Sequence, residues 1–594
     1  MTIEEQARAR WAELMGAGGA QDRTPGTPVA ADLPAPAGVT ATAGRGQVTV
    51  TWELVEGAIG YAVHRGATES GPFQVVDHGG GDVLAVPHGP YADTTDGRGG
   101  WYAVAALATV NAIGPLSAPV PTAPVSTAPD SGSPGAGPAT VTVKVGGSPA
   151  GPLHRVWQEM VGSEHLSHLL CPDTTGGRVI GDELREALRR VHDELGVRTV
   201  RAHGILADVY RDGTYDFGTV DRVYDTVREL GMTPVVEFGY MPRDLAADPT
   251  RTVFAYEGII SPPKDWDLWY ELIRAVTAHL ADRYGLDELR ERWRFEVWNE
   301  PNLSVFWSGT PEQYWRLYAS TAAAVKSVDP ALAVGGPATA AVGWIDDQLK
   351  VDAPVDFLST HVYGTVPLDL RPWAAGRPIL WTEWGVTATH GSTINDSVFA
   401  AAFLLKGMRS AAGRVAALAP WVASDHFEEL GRPQRLMHGG FGLLTVGNLA
   451  KPKFWALWLA QKLGPAELPV SLSGDGAGSL VEAWASGYDD GGIGLLLWNS
   501  TLDHSRSAGE AALARLVRFA PQLAGPHTLR VWRVDADHGN LRWDGTWPSD
   551  AEWAALKARD VLREAQPARR VTPGEELVFA LPNPGIVFLE MRPV

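Results

Sequence analysis

Between residues 139 and 463, short β-prone apolar runs alternate with stretches of helical periodicity, and no feature constrains the fold more. The runs are Arg155–Met160, Arg198–His203, Thr233–Phe238, Arg294–Trp298, Ala333–Gly335, Phe357–His361, Ile379–Glu383 and Ala416–Ser424. The helical stretches between them include 182–194, 220–230, 267–284, 311–328 and 396–411; Thr310-Pro311-Glu312-Gln313 adds a capping-box start with proline in the first turn. Runs apolar on both faces belong to strands covered on both sides. Eight of them alternating with helices predict a (β/α)8 TIM barrel. The rival doubly wound sheet needs a glycine-rich turn after its first strand, and Met160-Val161-Gly162-Ser163-Glu164-His165 is not one.

The flanks have a different grain. Residues 1–33 read as a short helix (3–14) and a Gly/Pro/Ala-rich tether. Residues 34–127 carry short alternating strands, and 128–138 form a Gly/Pro/Ser linker. In 34–127 the positions of Trp52, Tyr61 and Tyr102 resemble the core markers of a fibronectin type III-like β-sandwich. Its expected role is that of a spacer packed on the barrel or on a neighbouring copy. Residues 464–594 return to short β runs and predict a C-terminal β-sandwich, which the strand at 141–145 is placed to join because no helix follows it.

The chain has 594 residues, too many for one small core, so three or more units are expected. A formal net charge of −19 without a basic block argues against nucleic acid and anionic membranes and leaves a neutral substrate open. No apolar run is long enough to cross a bilayer, and 1–14 has neither a basic start nor an apolar h-region. The single cysteine, Cys171, has no partner within the chain, which suits a reducing compartment; a cytoplasmic location is expected. A homo-oligomer is compatible with the sequence.

In a (β/α)8 barrel the active site lies on the loops after the C-terminal strand ends. Glu300 follows the fourth run and Glu383 ends the seventh. His203 ends the second and His361 the sixth, while Asp425, Glu428 and Glu429 follow the eighth. Two glutamates at the mouths of buried strands are what glycosidic bond cleavage needs: one protonated to donate to the leaving oxygen, one ionised to attack or to activate water. His165 and His168, with His154 nearby, have a spacing that lacks a convincing third ligand and an acidic partner, so no metal is expected. The chemistry needs no cofactor, and none is expected.

The stretch Phe295-Glu296-Val297-Trp298-Asn299-Glu300-Pro301-Asn302-Leu303, followed by Phe306-Trp307, resembles the acid/base motif of glycoside hydrolase family 39, which is best known for β-xylosidases and α-L-iduronidases. Val200-Arg201-Ala202-His203-Gly204, Trp381-Thr382-Glu383-Trp384, Trp421 to Glu429 and His438-Gly439-Gly440-Phe441-Gly442 follow in the family's order. The resemblance implies a retaining glycosidase with Glu300 as acid/base and Glu383 as nucleophile, their carboxyl groups roughly 5–5.5 Å apart. At that separation two anions repel, so one is expected to stay protonated near neutral pH. The resemblance also implies Asn299 on the sugar 2-hydroxyl, and His203, His361 and Tyr363 as sugar-contacting or nucleophile-orienting groups. Glu428 and Glu429 would bind outer hydroxyls, with Glu428 favoured. Trp421 is either a floor for the sugar ring or core packing. Phe254 and Tyr256, in the long loop 239–263, are candidates to wall the pocket. Arg201 reads as a buried structural charge paired with a rim carboxylate.

The expected substrate is a small oligosaccharide or glycoside. The uronidase branch uses a lysine two residues after the sixth-strand histidine to neutralise a substrate carboxylate. This chain has Tyr363 there, which favours a neutral pentoside and the β-xylosidase branch. It departs from that branch at Gly385 and Ala202, where larger polar or aromatic residues are common. An iduronidase-like or arabinoside-releasing enzyme is the alternative, and a non-catalytic carbohydrate-binding protein is the alternative of another class.

Overall fold

Eight parallel strands wind in sequence order around a common axis: Val161–Gly162, Thr199–Ala202, Thr233–Phe238, Arg294–Val297, Val334–Thr339, Phe357–Tyr363, Ile379–Gly385 and Ala417–Pro420. The coordinates are a computed structural model that describes residues 29–95, 99–123, 139–426 and 429–594, with Ala9 and Glu13 as isolated positions. The helix read at 3–14 and the linker at 128–138 lie outside the described residues, apart from those two positions. Each strand pairs in parallel with the next. Between the last and the first, Ala423 N–H donates to the Gly162 carbonyl at 2.8 Å, so the barrel is nearly closed.

A helix follows every strand. The helix Ile180–Leu195 buries Ile180, Leu184, Ala187, Leu188, Val191 and Leu195, an apolar stripe at helical spacing, and ends on Gly196 at φ 75°. The helix Pro311–Val328 starts on the Thr310/Gln313 capping box. After the fifth and sixth strands the helices shrink to Ile345–Gln348 and Arg371–Ala374.

The first strand departs from the reading. Arg155–Met160 is not the strand; Val156–Gln158 form a 3-10 turn and the strand is Val161–Gly162. Polar side chains explain the shift. Arg155 donates to the carbonyls of Gln461, Leu463 and Gly464, and Gln158 donates to Gln461 Oε1 at 2.8 Å. They serve the C-terminal end of the helix Pro452–Gln461, where carbonyls lack intrahelical partners. The fifth strand runs on from Gly335 to Thr339, past a register shift, and the eighth stops at Pro420.

Residues 29–123 form two sheets. One runs in the order Val29–Ala30, Ala112–Leu116, Trp101–Leu107, Gly60–Gly66, Gln74–Val75; the other is Thr40–Gly44, Gln47–Thr51, Tyr91–Asp93. Trp52, Tyr61 and Tyr102 are buried in them. They cover the barrel where its sixth helix is short: Asp369 N–H donates to Ile59 O at 2.8 Å, and Trp373 Nε1 to Ala108 O at 2.7 Å. On the other flank a four-stranded and a seven-stranded sheet enclose Val143, Leu495, Leu497, Phe519, Val587 and Leu589. The strand Thr140–Val145 lies in the four-stranded sheet, antiparallel to Val470–Gly474 and parallel to Arg515–Phe519. Among the described residues no helix is long and apolar enough to cross a membrane.

Gly407, on the helix Val398–Ala411, is the contact that lets Trp384 pack beside the seventh strand. A Cβ there would stand 2.2 Å from two indole carbons. Alanine in place of a helical glycine gains about 1 kcal/mol of propensity, whereas overpacking a core costs about 1–3 kcal/mol. Gly407→Ala is therefore expected to lower the urea midpoint; a raised midpoint would show that Trp384 has room to move.

Candidate active site

The floor of the site is a guanidinium. Arg201, on the second strand and fully buried, donates Nε to Glu296 Oε2 (2.8 Å), Nη1 to Glu383 Oε1 (2.6 Å) and Nη2 to Asn299 Oδ1 (2.8 Å), and pairs through Nη2 with Glu237 Oε2 (2.8 Å). Its partners stand on the third, fourth and seventh strands and on the loop after the fourth. One planar fork thus sets the positions of Asn299 and Glu383 together.

The chain bends sharply after the fourth strand. Trp298 and Glu300 both have left-handed backbones, with φ 66° and 43°. Such conformations are costly for residues with a Cβ and persist where the surroundings impose them. Trp298 is held by its Nε1 on Phe306 O (2.9 Å) and by edge contacts with Tyr240 and Trp307; Glu300 N–H is held by Ala338 O (2.8 Å). The bend turns Glu300 toward the sixth strand, where His361 Nδ1 lies 3.0 Å from Glu300 Oε1 and 3.7 Å from Glu383 Oε2. One oxygen of each glutamate and a nitrogen of His361 all lie within 4.8 Å of one another.

Glu383 is held from both ends, by Arg201 on Oε1 and by the Tyr363 hydroxyl on Oε2 at 2.8 Å. His203 turns Nδ1 to Glu237 (2.8 Å) and Nε2 toward Glu383 (3.6 Å) and Glu429 (3.7 Å). Burial pushes both His203 and His361 down to about 4, so both imidazoles are neutral near pH 7. Burial raises Glu237 to about 7 although it touches Arg201, because that guanidinium is shared among four acceptors. Glu429 is pushed well above the carboxylate range, first by burial and then by Glu164, Glu383 and Glu300. A single guanidinium cannot offset this many carboxylates in a dry interior, so protons stay on some of them.

Glu300, Glu383, Asn299, His203, Tyr363, Trp421, Glu429 and Phe254 line one small pocket, with Phe306, Ala388 and Phe441. His361 lies beneath it, against Glu300. Trp421 packs on His203 with centroids 5.0 Å apart and lies 5.8 Å from the Arg201 guanidinium. Tyr256 stands behind Phe254, against His165 and Tyr240. Glu428 lies outside the described residues. Asp425 is turned away: it pairs with Lys451 at 2.6 Å and accepts from Gly442 N–H at 2.8 Å, bracing the loop that carries Phe441. Gly385 faces Tyr363, where a Cβ would stand 3.2 Å from two ring carbons. Sequence reasoning passed over Glu237 and Glu296 although both interrupt apolar strand runs, and a buried charge in such a run needs a partner. Phe306 and Phe441 lie within stretches that resemble the family's motifs, but nothing in the residues themselves marked them as pocket walls.

Three ligand atoms within 4.8 Å raise the question of a cation among Glu300, His361 and Glu383. The donor set fits poorly, because the Arg201 guanidinium already sits 2.6 Å from Glu383 and would repel an ion there. His165 and His168 have ring centroids 5.6 Å apart, with His168 Nδ1 on Glu164 at 2.8 Å, whereas His154 lies beside Gly413.

The family model for glycosyl hydrolases family 39 matches residues 141–372 and 369–549. A β-xylosidase of Caldicellulosiruptor saccharolyticus is 36% identical over 367 residues, covering 55% of this chain and 72% of the relative. A β-xylosidase of Geobacillus stearothermophilus is 33% identical over 478 residues, covering 70% of this chain and 91% of the relative. Among solved structures, a monomeric β-xylosidase from Caulobacter crescentus CB15 superposes with a TM-score of 0.63 at 28% identity, covering 77% of this chain and all of that one.

The raised Glu237 carboxyl has a consequence for stability. The fold prefers it protonated up to about 7, against 4.5 for an ordinary glutamate. Its contribution is full below the unfolded value and is lost as pH rises through 7. Glu237→Gln keeps an acceptor and removes the titration. Between pH 4.5 and 7.5 its Tm is expected to change less steeply, in the direction of less loss at high pH, than that of the wild type. Parallel Tm curves would contradict this assignment.

Proposed function

The chain belongs to glycosyl hydrolases family 39 and is a glycoside hydrolase, and on that premise we propose that it is a retaining β-D-xylosidase releasing a single neutral pentose by double displacement. One observation carries the reading: Glu300 and Glu383 flank the same nitrogen of His361 at 3.0 and 3.7 Å, within reach of one anomeric carbon. A direct attack requires carboxyl groups about 5–5.5 Å apart, whereas an inverting enzyme needs room for a water between them.

Hydrogen bonds distinguish the two glutamates. Glu383 receives donors on both oxygens, from Arg201 and Tyr363, which favours the anion and aims it. Glu300 faces a different partner. Thr382 Oγ1 donates to Glu296 Oε1 (2.9 Å), so its lone pairs accept from His361 Nε2 (3.1 Å). A neutral His361 with its proton on Nε2 offers a bare Nδ1, and the group that completes that contact is a protonated Glu300. The relay Glu296–Thr382–His361 therefore holds Glu300 in the acid state. Glu383 attacks the anomeric carbon as the glycosidic bond breaks, and the one proton of Glu300 turns from His361 Nδ1 to the leaving oxygen. With Glu383 esterified, Glu300 draws a proton from water, the hydroxide adds to the anomeric carbon, and Glu383 leaves as the carboxylate. The amide oxygen of Asn299 is held by Arg201, which leaves its nitrogen as the donor for the sugar 2-hydroxyl.

The neutral substrate is supported by the wall chemistry. No lysine or arginine lines the cavity among the described residues, and Arg201, beneath it, is already engaged by Glu237, Glu296, Asn299 and Glu383. A uronate carboxylate would meet Glu429 and aromatic rings there. Residues 34–127 are read as the fibronectin type III-like unit and 464–594 as the C-terminal sandwich, a division supported by the two-sheet arrangement on each flank.

Nitrophenyl β-D-xyloside is expected to be cleaved with retention at the anomeric carbon. Glu383→Ala should lose turnover and, with azide, give the glycosyl azide of inverted configuration; an inverted hydrolysis product from the wild type would sink the double displacement. Thr382→Val leaves His361 Nε2–H without its acceptor and favours the tautomer with the proton on Nδ1, which stabilises ionised Glu300. The basic limb of the kcat/KM pH profile is then expected to move to lower pH. An unmoved limb would remove the relay.

A further inference from the structure

The N-terminal sheets do more than cover the barrel. Their turn at residues 78–83 reaches the end of the sixth strand and meets the backbone of Tyr363, whose hydroxyl is on Glu383. Asp82 N–H donates to Tyr363 O at 2.9 Å, and Asp82 Oδ2 accepts from Tyr363 N–H at 3.1 Å. Beyond Thr360 the sixth strand has no ladder partner on that edge among the described residues. Its pairing with the fifth ends at Thr360, opposite Thr339, so the next backbone groups on that side depend on something else. Tyr363 is buried, and without Asp82 both its N–H and its carbonyl would go unpaired away from water.

The contact is built for backbone against backbone. Gly364 has φ 73°, and a Cβ on it would lie 1.6 Å from the carbonyl oxygen of Gly80. A Cβ on Gly80 would meet His504 at 1.9 Å, and one on Gly81 would meet His78 at 2.8 Å. Behind the turn, His504 N–H donates to His78 O at 2.9 Å, so the C-terminal sheets press it onto the barrel. Beside it Thr365 Oγ1 donates to Ala85 O at 2.8 Å.

We propose that Asp82 is a positioning residue for the glycosidase reaction: its two-point clamp on the Tyr363 backbone sets the Tyr363 hydroxyl against Glu383, and the N-terminal unit thereby completes the active site instead of acting as a spacer. This rests on the reading of Glu383 as nucleophile. The path from Asp82 to the reacting carboxylate runs through one residue, and a misplacement of about 1 Å at such a group costs as much as 100-fold in rate.

The test uses the full chain and four variants, Asp82→Ala, Asp82→Asn, Tyr363→Phe and the double variant Asp82→Ala/Tyr363→Phe. Rates on nitrophenyl β-D-xyloside are expressed per active site counted by trapping with a 2-fluoro-xyloside, so that lost folded protein does not appear as lost rate. Asp82→Ala is expected to lower kcat on the order of tenfold with a smaller change in KM. Asp82→Asn, which keeps the acceptor, should restore most of that loss. In the Tyr363→Phe background Asp82→Ala should add no further loss, because the group it positions is gone. Equal fractional losses in both backgrounds, or an Asp82→Ala enzyme with wild-type kcat, would overturn the proposal. Should Asp82→Ala fail to fold, Asp82→Glu, which moves the acceptor by one methylene, carries the same comparison with the same criteria. Glu383→Ala measured alongside separates the two levels. Turnover surviving in it removes the nucleophile reading and the clamp together; turnover lost in it, with additive Asp82 and Tyr363 effects, removes the clamp alone.

Discussion

A single buried guanidinium organises the catalytic end of the barrel. Arg201 binds Glu237, Glu296, Asn299 and Glu383 at once, so three strands and a loop are referenced to one rigid plane. Most barrel interiors are filled by branched apolar side chains. Here part of that volume is ionic, and it is tolerated because the fork donates hydrogen bonds to Glu296, Glu383 and Asn299 and pairs with Glu237. Removing one member of such a set leaves an uncompensated charge at a cost of about 3–5 kcal/mol, which ties precise side-chain placement to the stability of the whole end of the barrel.

The hydrogen-bond directions carry chemical information that distances alone do not. Glu300 and Glu383 are both buried and both near His361, yet one faces a neutral imidazole and the other faces two donors. Their neighbours lie on the sixth, seventh and second strands, brought together only by the closed sheet. Aromatic packing around the bend at Trp298 and Glu300 sustains a backbone shape that these residues would otherwise avoid.

Much of this was legible in the residues. Apolar runs alternating with helical periodicity overlapped seven of the eight strands, because a parallel strand buried on both faces leaves an unbroken run, although the fifth strand continues to Thr339 and the eighth stops at Pro420. The first failed because Arg155 and Gln158 are committed to carbonyls at the end of a distant helix, a contact that periodicity does not encode. Glu300, Glu383, His203 and His361 were visible as polar residues at the ends of apolar runs, and Tyr363 only through the family resemblance. Asp425 looked the same, and only the three-dimensional position of Lys451 separates it from them. Asp82 left no trace, since its partner is a backbone 281 residues away.

The strand Thr140–Val145 precedes the barrel in the chain but hydrogen-bonds to Val470–Gly474 and Arg515–Phe519. During synthesis that segment leaves the ribosome with no sheet to join, and its pairing waits until the entire barrel and part of the last unit have followed. The long-range closure makes the end of the protein a late checkpoint on assembly: a chain truncated before residue 515 strands its own pre-barrel segment as an open edge, a known invitation to aggregation.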